Sequence, residues 1–298
     1  MTKVVFYNSF HKGDLHLSRM MVRKIVQAFP NIEFGYIHKH GSYILKDLPV
    51  KYLGWSIVDS RDTSGMVQRG DTFFFNTWYG SYNHTFQNAH GGITFDALYY
   101  IFAKHLEFLE SSWSNIEPDP KNLFPSIDWS FYNKSNIDRF VLENSNKYRK
   151  RILFSNGDVL SGQSEIPNFN TSVNVLSKKF PDVQFVCTDR NGVDSNPNVV
   201  FTDDFVGVNG CDLNEISYMS TFCDIIIGRS SGPYTYSMIS ENMFNKDKIM
   251  ISFSSIGSDN YWLGPSMANQ IKYDAEVRNY ETNKLDEIIA KIEEVIKR

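Results

Sequence analysis

The residues best suited to chemistry gather in three turns, each directly after a β-rich run. The first turn is Asn8-Ser9-Phe10-His11-Lys12-Gly13-Asp14, where Gly13 permits tight turning. Asp14 stands where a helix should begin, so its carboxylate can serve as an N-cap or as a base that takes a proton from an acceptor hydroxyl. His11 and Lys12 can meet an anion there or lie in solvent. The second turn, Gly228-Arg229-Ser230-Ser231-Gly232-Pro233-Tyr234, follows the apolar run Asp224-Ile225-Ile226-Ile227. Two glycines, two hydroxyls and a guanidinium supply backbone and side-chain donors for a diphosphate, and Pro233 suits a first helical turn. The alternative is a tight turn whose serines cap the next helix. The third turn, Ser155-Asn156-Gly157-Asp158, takes in the second half the place that His11 to Asp14 takes in the first.

Other classes of chemistry lack their residues. No Asp-x-Asp triplet occurs, which argues against the strand-end metal site of a divalent-cation transferase and for a metal-free mechanism with no resident cofactor. Neither half's first turn has the Gly-x-Gly-x-x-Gly spacing of a dinucleotide site. Cys187, Cys211 and Cys223 have neither even number nor ligand spacing, so they read as packing residues of a reducing, cytoplasmic compartment. A net charge of −4 with both signs dispersed gives no broad footprint for a polyanion, although a nucleic-acid acceptor stays open. No apolar run reaches the roughly 20 residues of a membrane span, and Met1 leads directly into a core strand.

The elements that must position these turns repeat in one order. Lys3 to Phe10 reads as a strand, the apolar positions from Leu15 to Phe29 recur at helical spacing, and Ile32 to His38 reads as a second strand. The order restarts at Arg151 with a strand running into Gly157-Asp158, a helix from Thr171 to Phe180 and a strand from Val183 to Cys187. Even the joints agree: Phe29-Pro30-Asn31-Ile32 matches Phe180-Pro181-Asp182-Val183. Two Rossmann-like α/β domains facing across a cleft are therefore expected, spanning 1–148 and 149–298. Ligands of such sheets lie beyond the carboxyl ends of the strands, which is where all three turns fall.

Further expected strands are Thr72 to Trp78, Asn198 to Phe201, Asp224 to Gly228 and Lys248 to Phe253, with helices at Thr94 to Leu109 and Leu213 to Thr221. Ser111 to Ser135 suits an irregular connection packed by Trp113, Phe124, Trp129 and Phe131. The last helix, Lys284 to Lys297, is expected to pack back towards the first half. Glu215 can accept from a ribose hydroxyl or sit as a solvated helix carboxylate, and Arg190 can line a base pocket. The stretch with Trp78, Tyr79, His84 and His90 has the rings and amides on which a sugar or base could stack; the alternative reads Trp78 as core and the histidines as loop residues.

Gly13-Asp14 in one half and Ser231-Gly232-Pro233 after Asp224-Ile225-Ile226-Ile227-Gly228 in the other resemble the paired motifs of GT-B glycosyltransferases, in particular the heptosyltransferase-like family of lipopolysaccharide synthesis. The resemblance implies that Asp14 is the catalytic base and that Ser230 to Tyr234, with Arg229, hold the diphosphate of a nucleotide-sugar donor. On the same view Asn156, Glu215 and Arg190 help to hold the donor, while His11, Lys12, Gly13, Trp78, Tyr79 and His84 face the acceptor. The chain departs from the family pattern at Tyr234-Thr235, where a histidine is usual two residues beyond the proline. A glycan or another hydroxyl-bearing molecule is the expected acceptor. A sugar-nucleotide epimerase of the same two-lobed build and a non-catalytic glycan- or nucleotide-binding module are the alternatives.

Overall fold

The computed structural model describes residues 3–55, 65–78, 124–159, 164–207, 212–229, 232–255 and 273–298. Its contacts divide the chain into two compact units at Ile127/Asp128, ahead of the expected join at 148/149. The helix Ser135–Glu143 goes with the second unit: Phe140 stacks on Phe205 at 4.2 Å and Asp138 accepts from the Tyr218 hydroxyl at 2.6 Å.

The first unit carries β1 (Lys3–Asn8), α1 (Lys12–Ala28), β2 (Glu33–His38), β3 (Lys51–Leu53), β4 (Met66–Arg69) and β5 (Thr72–Asn76). Its sheet runs β3-β2-β1-β5-β4, parallel except for the β4–β5 hairpin. Period-two alternation along β1 sends Phe6 to one face, among Phe34, Tyr36 and Phe75, and Val5 and Tyr7 to the other, against Ile37, Leu53, Trp55 and Phe74. Both faces are apolar because both are covered, as a parallel sheet requires. The short strands β3 and β4 carry no strong apolar pattern, and sequence reasoning missed them.

The second unit contains α2 (Ser135–Glu143), β6 (Lys150–Ser155), α3 (Phe169–Lys179), β7 (Val183–Cys187), β8 (Val199–Phe201), α4 (Leu213–Ser220), β9 (Ile225–Arg229), α5 (Gly232–Tyr236), α6 (Ser240–Met243), β10 (Ile249–Ser254), β11 (Glu276–Glu281) and α7 (Leu285–Ile296). Its six parallel strands run β11-β10-β9-β6-β7-β8, the Rossmann order, with the direction of winding reversing between β6 and β9. The apolar stripe of α7, Ile288, Ile292, Val295 and Ile296, is buried in this unit's own core with Val173 and Leu176 of α3. Phe124 is fully buried as expected for a packing residue, but Phe131 is 45% exposed. The helix expected at 94–109 and Trp113 lie outside the described residues.

The repeated joint is repeated in geometry. Phe29 has φ −125°, ψ 66° and Phe180 has φ −123°, ψ 73°; each closes its helix by donating its N–H to the carbonyl four residues back and accepts from the N–H three residues on, that of Ile32 or Val183. The following proline disfavours helical backbone at each phenylalanine, so the chain turns and tucks the ring inward. From those joints the two βαβ units run in register: Phe6 lies opposite Tyr36, and Phe154 opposite Cys187.

Candidate functional site

At the carboxyl edge of the first sheet, three strands end in polar side chains that close the turn following them. Asn8 Oδ1 accepts the Phe10 N–H at 2.9 Å, His38 Nδ1 accepts the His40 N–H at 3.2 Å, and Asn76 Oδ1 accepts the Trp78 N–H at 2.9 Å. Each supplies an acceptor where the ladder has just ended, which is why a polar residue stands at the tip of an apolar strand. The turns bring Phe10 and Trp78 into a stack with ring centroids 3.6 Å apart, and His40 Nε2–H donates to the Phe10 carbonyl at 2.8 Å. Trp78 thus stands at the strand ends, half-buried.

The turn itself is shorter than the sequence suggested. His11 is the N-cap of α1, so Lys12, Gly13 and Asp14 form its first turn. Asp14 holds the third helical position and accepts the His11 N–H at 3.2 Å, the return half of a capping box. The cap and base readings of Asp14 therefore combine on one carboxylate: one lone pair secures the helix start and others remain. Partial burial raises its pKa above the ordinary aspartate value against the lowering pull of that N–H and of His11, which makes the carboxylate a stronger base than a solvated one. Burial lowers both His38, to about 4, and His40, so these rings stay neutral near pH 7.

In the second unit Asn156 spends its whole side chain on the neighbouring strand end. Its Oδ1 accepts from the Thr188 and Asp189 N–H groups at 2.9 and 3.0 Å, and its Nδ2 donates to the Asp189 carbonyl at 2.8 Å. Arg229, the last residue of β9, turns its guanidinium across the point where the winding reverses and donates through one terminal nitrogen to the Asn156 and Gly157 carbonyls at 3.1 and 2.5 Å. The cation lies over the Phe169 ring, 5.1 Å from its centroid, and only 7% of the residue is exposed. The side chain expected to clamp a phosphate thus braces the loop after β6, and burial lowers its pKa despite the nearby carboxylates of Asp158, Asp189 and Glu165.

Gly228 explains how tightly this edge is built. A Cβ there would lie 2.8 Å from Ser155 Cβ and 3.0 Å from Tyr234 Cβ, so only glycine lets the start of α5 pack onto β6 and β9. Tyr234 is buried, and its hydroxyl bonds Ser252; it is a packing residue of this unit. Gly232 and Pro233 open α5, while Ser230, Ser231, Tyr79, His84 and His90 lie outside the described residues. Glu215 is buried in the first turn of α4, not solvated. Arg190 makes a two-pronged ion pair with Asp203 at 2.8 and 2.9 Å, a further pair with Asp204, and covers the Phe201 ring; these contacts occupy it at the surface. Cys187 and Cys223 are buried free thiols. Among the described residues no group of three or more His, Cys, Asp or Glu is placed to hold a metal ion, and no helix is long and apolar enough to cross a membrane.

No protein-family model matches the chain, and no curated protein matches its sequence. Solved structures match along its length. The glycosyl transferase family 9 protein from Veillonella parvula DSM 2008 superposes with a TM-score of 0.54 at 10% identity, over 100% of this chain and 89% of that one. The E. coli heptosyltransferase WaaC with ADP gives 0.52 at 11% identity, over 99% and 97%. The fold is that of the GT-B glycosyltransferases. The UDP-GlcNAc 2-epimerase from Neisseria meningitidis bound to UDP-GlcNAc shares it, with 0.51 at 11% identity over 99% and 92%.

Proposed function

We propose that the protein transfers a sugar from a nucleoside-diphosphate sugar to a hydroxyl group of a glycan or similar acceptor, without a metal ion or resident cofactor. The observation that carries the reading is Asp14: a half-buried carboxylate at the carboxyl edge of the first sheet, fixed by the His11 N–H and made more basic by desolvation. In the reaction it takes the acceptor hydroxyl's proton as the oxygen attacks the anomeric carbon, and the nucleoside diphosphate departs with the bonding pair. His11, Lys12, Gly13 and Trp78 surround that hydroxyl. The donor is held by the second unit, where the sequence turn Ser230-Ser231-Gly232 would bind the diphosphate and Arg229, bonded to Asn156 and Gly157, holds the loop after β6. The full-length likeness to a glycosyl transferase family 9 protein and to E. coli heptosyltransferase WaaC with ADP supports a transferase reading.

The test is Asp14→Asn, which keeps an oxygen for the His11 N–H and removes the base. Wild type and variant are offered UDP-glucose, UDP-N-acetylglucosamine, GDP-mannose and ADP-glucose with mixed oligosaccharides, and nucleoside diphosphate release is followed. Transfer should fall by roughly 100-fold or more, as expected for loss of a general base, with nucleotide-induced thermal stabilisation retained. Undiminished transfer by the variant would refute the assignment. Epimerisation is the second reading, favoured by a TM-score to the epimerase level with that to the heptosyltransferase. Acceptor-free incubation separates the two, since only an epimerase then yields an isomeric nucleotide sugar.

A further inference from the structure

Behind Asp14 lies a buried chain of hydroxyls whose place in the fold ties the base to the sheet. Ser18 follows Asp14 by four residues and so shares its face of α1. Its Oγ donates to the Leu15 carbonyl at 2.8 Å and meets the Tyr36 hydroxyl at 2.9 Å. Tyr36, on β2, meets Thr77 Oγ1 at 2.5 Å, and Thr77 accepts from Asn8 Nδ2 at 2.9 Å. One proton arrangement satisfies every member: Asn8 donates to Thr77, Thr77 to Tyr36, Tyr36 to Ser18, and Ser18 to the Leu15 carbonyl. At its head Asn8 Oδ1 takes the Phe10 N–H and turns Nδ2 towards Thr77, whose hydroxyl also lies 3.4 Å from the Tyr7 carbonyl as a second acceptor. Asn8, Ser18, Tyr36 and Thr77 are all within 1% of complete burial, and burial holds the Tyr36 phenol well above its ordinary pKa, so it remains a donor.

The chain joins the end of β1, the end of β2, the residue just past β5 and the first turns of α1. We infer that Tyr36 and Thr77 are positioning residues for Asp14: they pin the amino-terminal turns of α1 over the reversal point of the first sheet, so that the carboxylate is presented at one fixed height and angle. Asn8 acts at both ends of the device, setting the turn into α1 through Phe10 and the hydroxyl chain beneath it through Thr77. Among the described residues the second unit shows no equivalent chain, since Cys187 stands in the register place of Tyr36 and Asn156 is turned onto β7. The inference rests on the proposed role of Asp14 only for its catalytic consequence; the pinning itself is a structural statement.

The experiment compares Thr77→Val, which keeps the shape and loses the hydroxyl, with Thr77→Ser, which keeps the hydroxyl, and with Tyr36→Phe. Hydrogen exchange is measured by mass spectrometry on peptides spanning residues 9–15, and kcat and KM are measured with whichever of the four named donors wild type turns over. Thr77→Val and Tyr36→Phe should exchange at least 10-fold faster in that segment and lose 10- to 100-fold in kcat with donor KM unchanged, because a small misplacement of a reacting group has that order of cost. Thr77→Ser should restore both readouts. Unchanged exchange in both hydroxyl-deletion variants, or no rescue by serine, overturns the inference whatever the activity shows. Faster exchange with unaltered kcat, in an enzyme that Asp14→Asn inactivates, also overturns it. If Asp14→Asn is fully active, the reading of the base fails instead, and the exchange data still decide whether the chain pins α1.

Discussion

Arg229→Met in the absence of any nucleotide separates a brace from a phosphate ligand. The guanidinium makes two hydrogen bonds to buried loop carbonyls and lies over Phe169. Hydrogen bonds from a charged donor are worth about 1.5 kcal/mol each at the low end of their range, and a cation over a ring about 0.5–2 kcal/mol. Methionine recovers part of this through its own apolar contacts, and the cost of burying the cation, visible in the lowered pKa, disappears. The balance is a loss of roughly 2–4 kcal/mol, or roughly 5–12 °C in Tm for a unit of this size. Calorimetry of the ligand-free variant reads it directly, and Arg229→Lys should fall between, since an ammonium cannot reproduce the planar stack on Phe169. A residue whose task is to meet a phosphate would behave in the opposite way: the ligand-free variant would melt with wild type or above it, and only the stabilisation by added ADP or UDP would be lost. That result would refute the brace.

The raised pKa of Asp14 sets two pH effects. Because the base must be ionised, kcat should decline on the acid side at a pH above the ordinary aspartate range, a position read from the pH–rate profile. Because the folded pKa lies above the unfolded one, the fold favours the protonated acid; that contribution is complete below the unfolded value and is lost as pH rises through the folded one. Asp14→Asn should therefore melt higher than wild type at neutral pH, with the gain vanishing towards pH 3 in a pH series of thermal scans. Lys248, only 5% exposed, donates to the Ser220 and Thr221 carbonyls at 3.2 and 2.7 Å and also to that of Cys223, closing the end of α4. Lys248→Met should cost about 3 kcal/mol by stranding those carbonyls, seen as a lower urea midpoint at unchanged m-value. Cys187 and Cys223 are buried with thiols pushed up, the latter to about 12, so neither should be alkylated by iodoacetamide at pH 8 until the protein is unfolded, as peptide mapping would show.

The duplicated βαβ plan was legible because it rests on local rules. Apolar periodicity marks β1, α1 and β2 and again β6, α3 and β7, and a phenylalanine before a proline ends both helices in the same backbone geometry. Strands β3 and β4 and the edge strand β11 were not legible, since short or half-exposed strands are defined by the neighbour they pair with rather than by their own pattern. Side-chain roles divide along the same line. That Asp14 stands at a helix start after a core strand, and that Gly228 ends another with Arg229 directly after it, follows from residue types and order alone. Which way Arg229 turns, that Glu215 is buried, that Asn156 is spent on Thr188 and Asp189, and that Asn8, Ser18, Tyr36 and Thr77 make one hydrogen-bonded chain, only the tertiary structure decides. The physical reason is range. Periodicity and turn chemistry act over a few residues, whereas a buried polar group takes whatever partner the packed strands bring to it, and those partners lie up to 73 positions away along the chain.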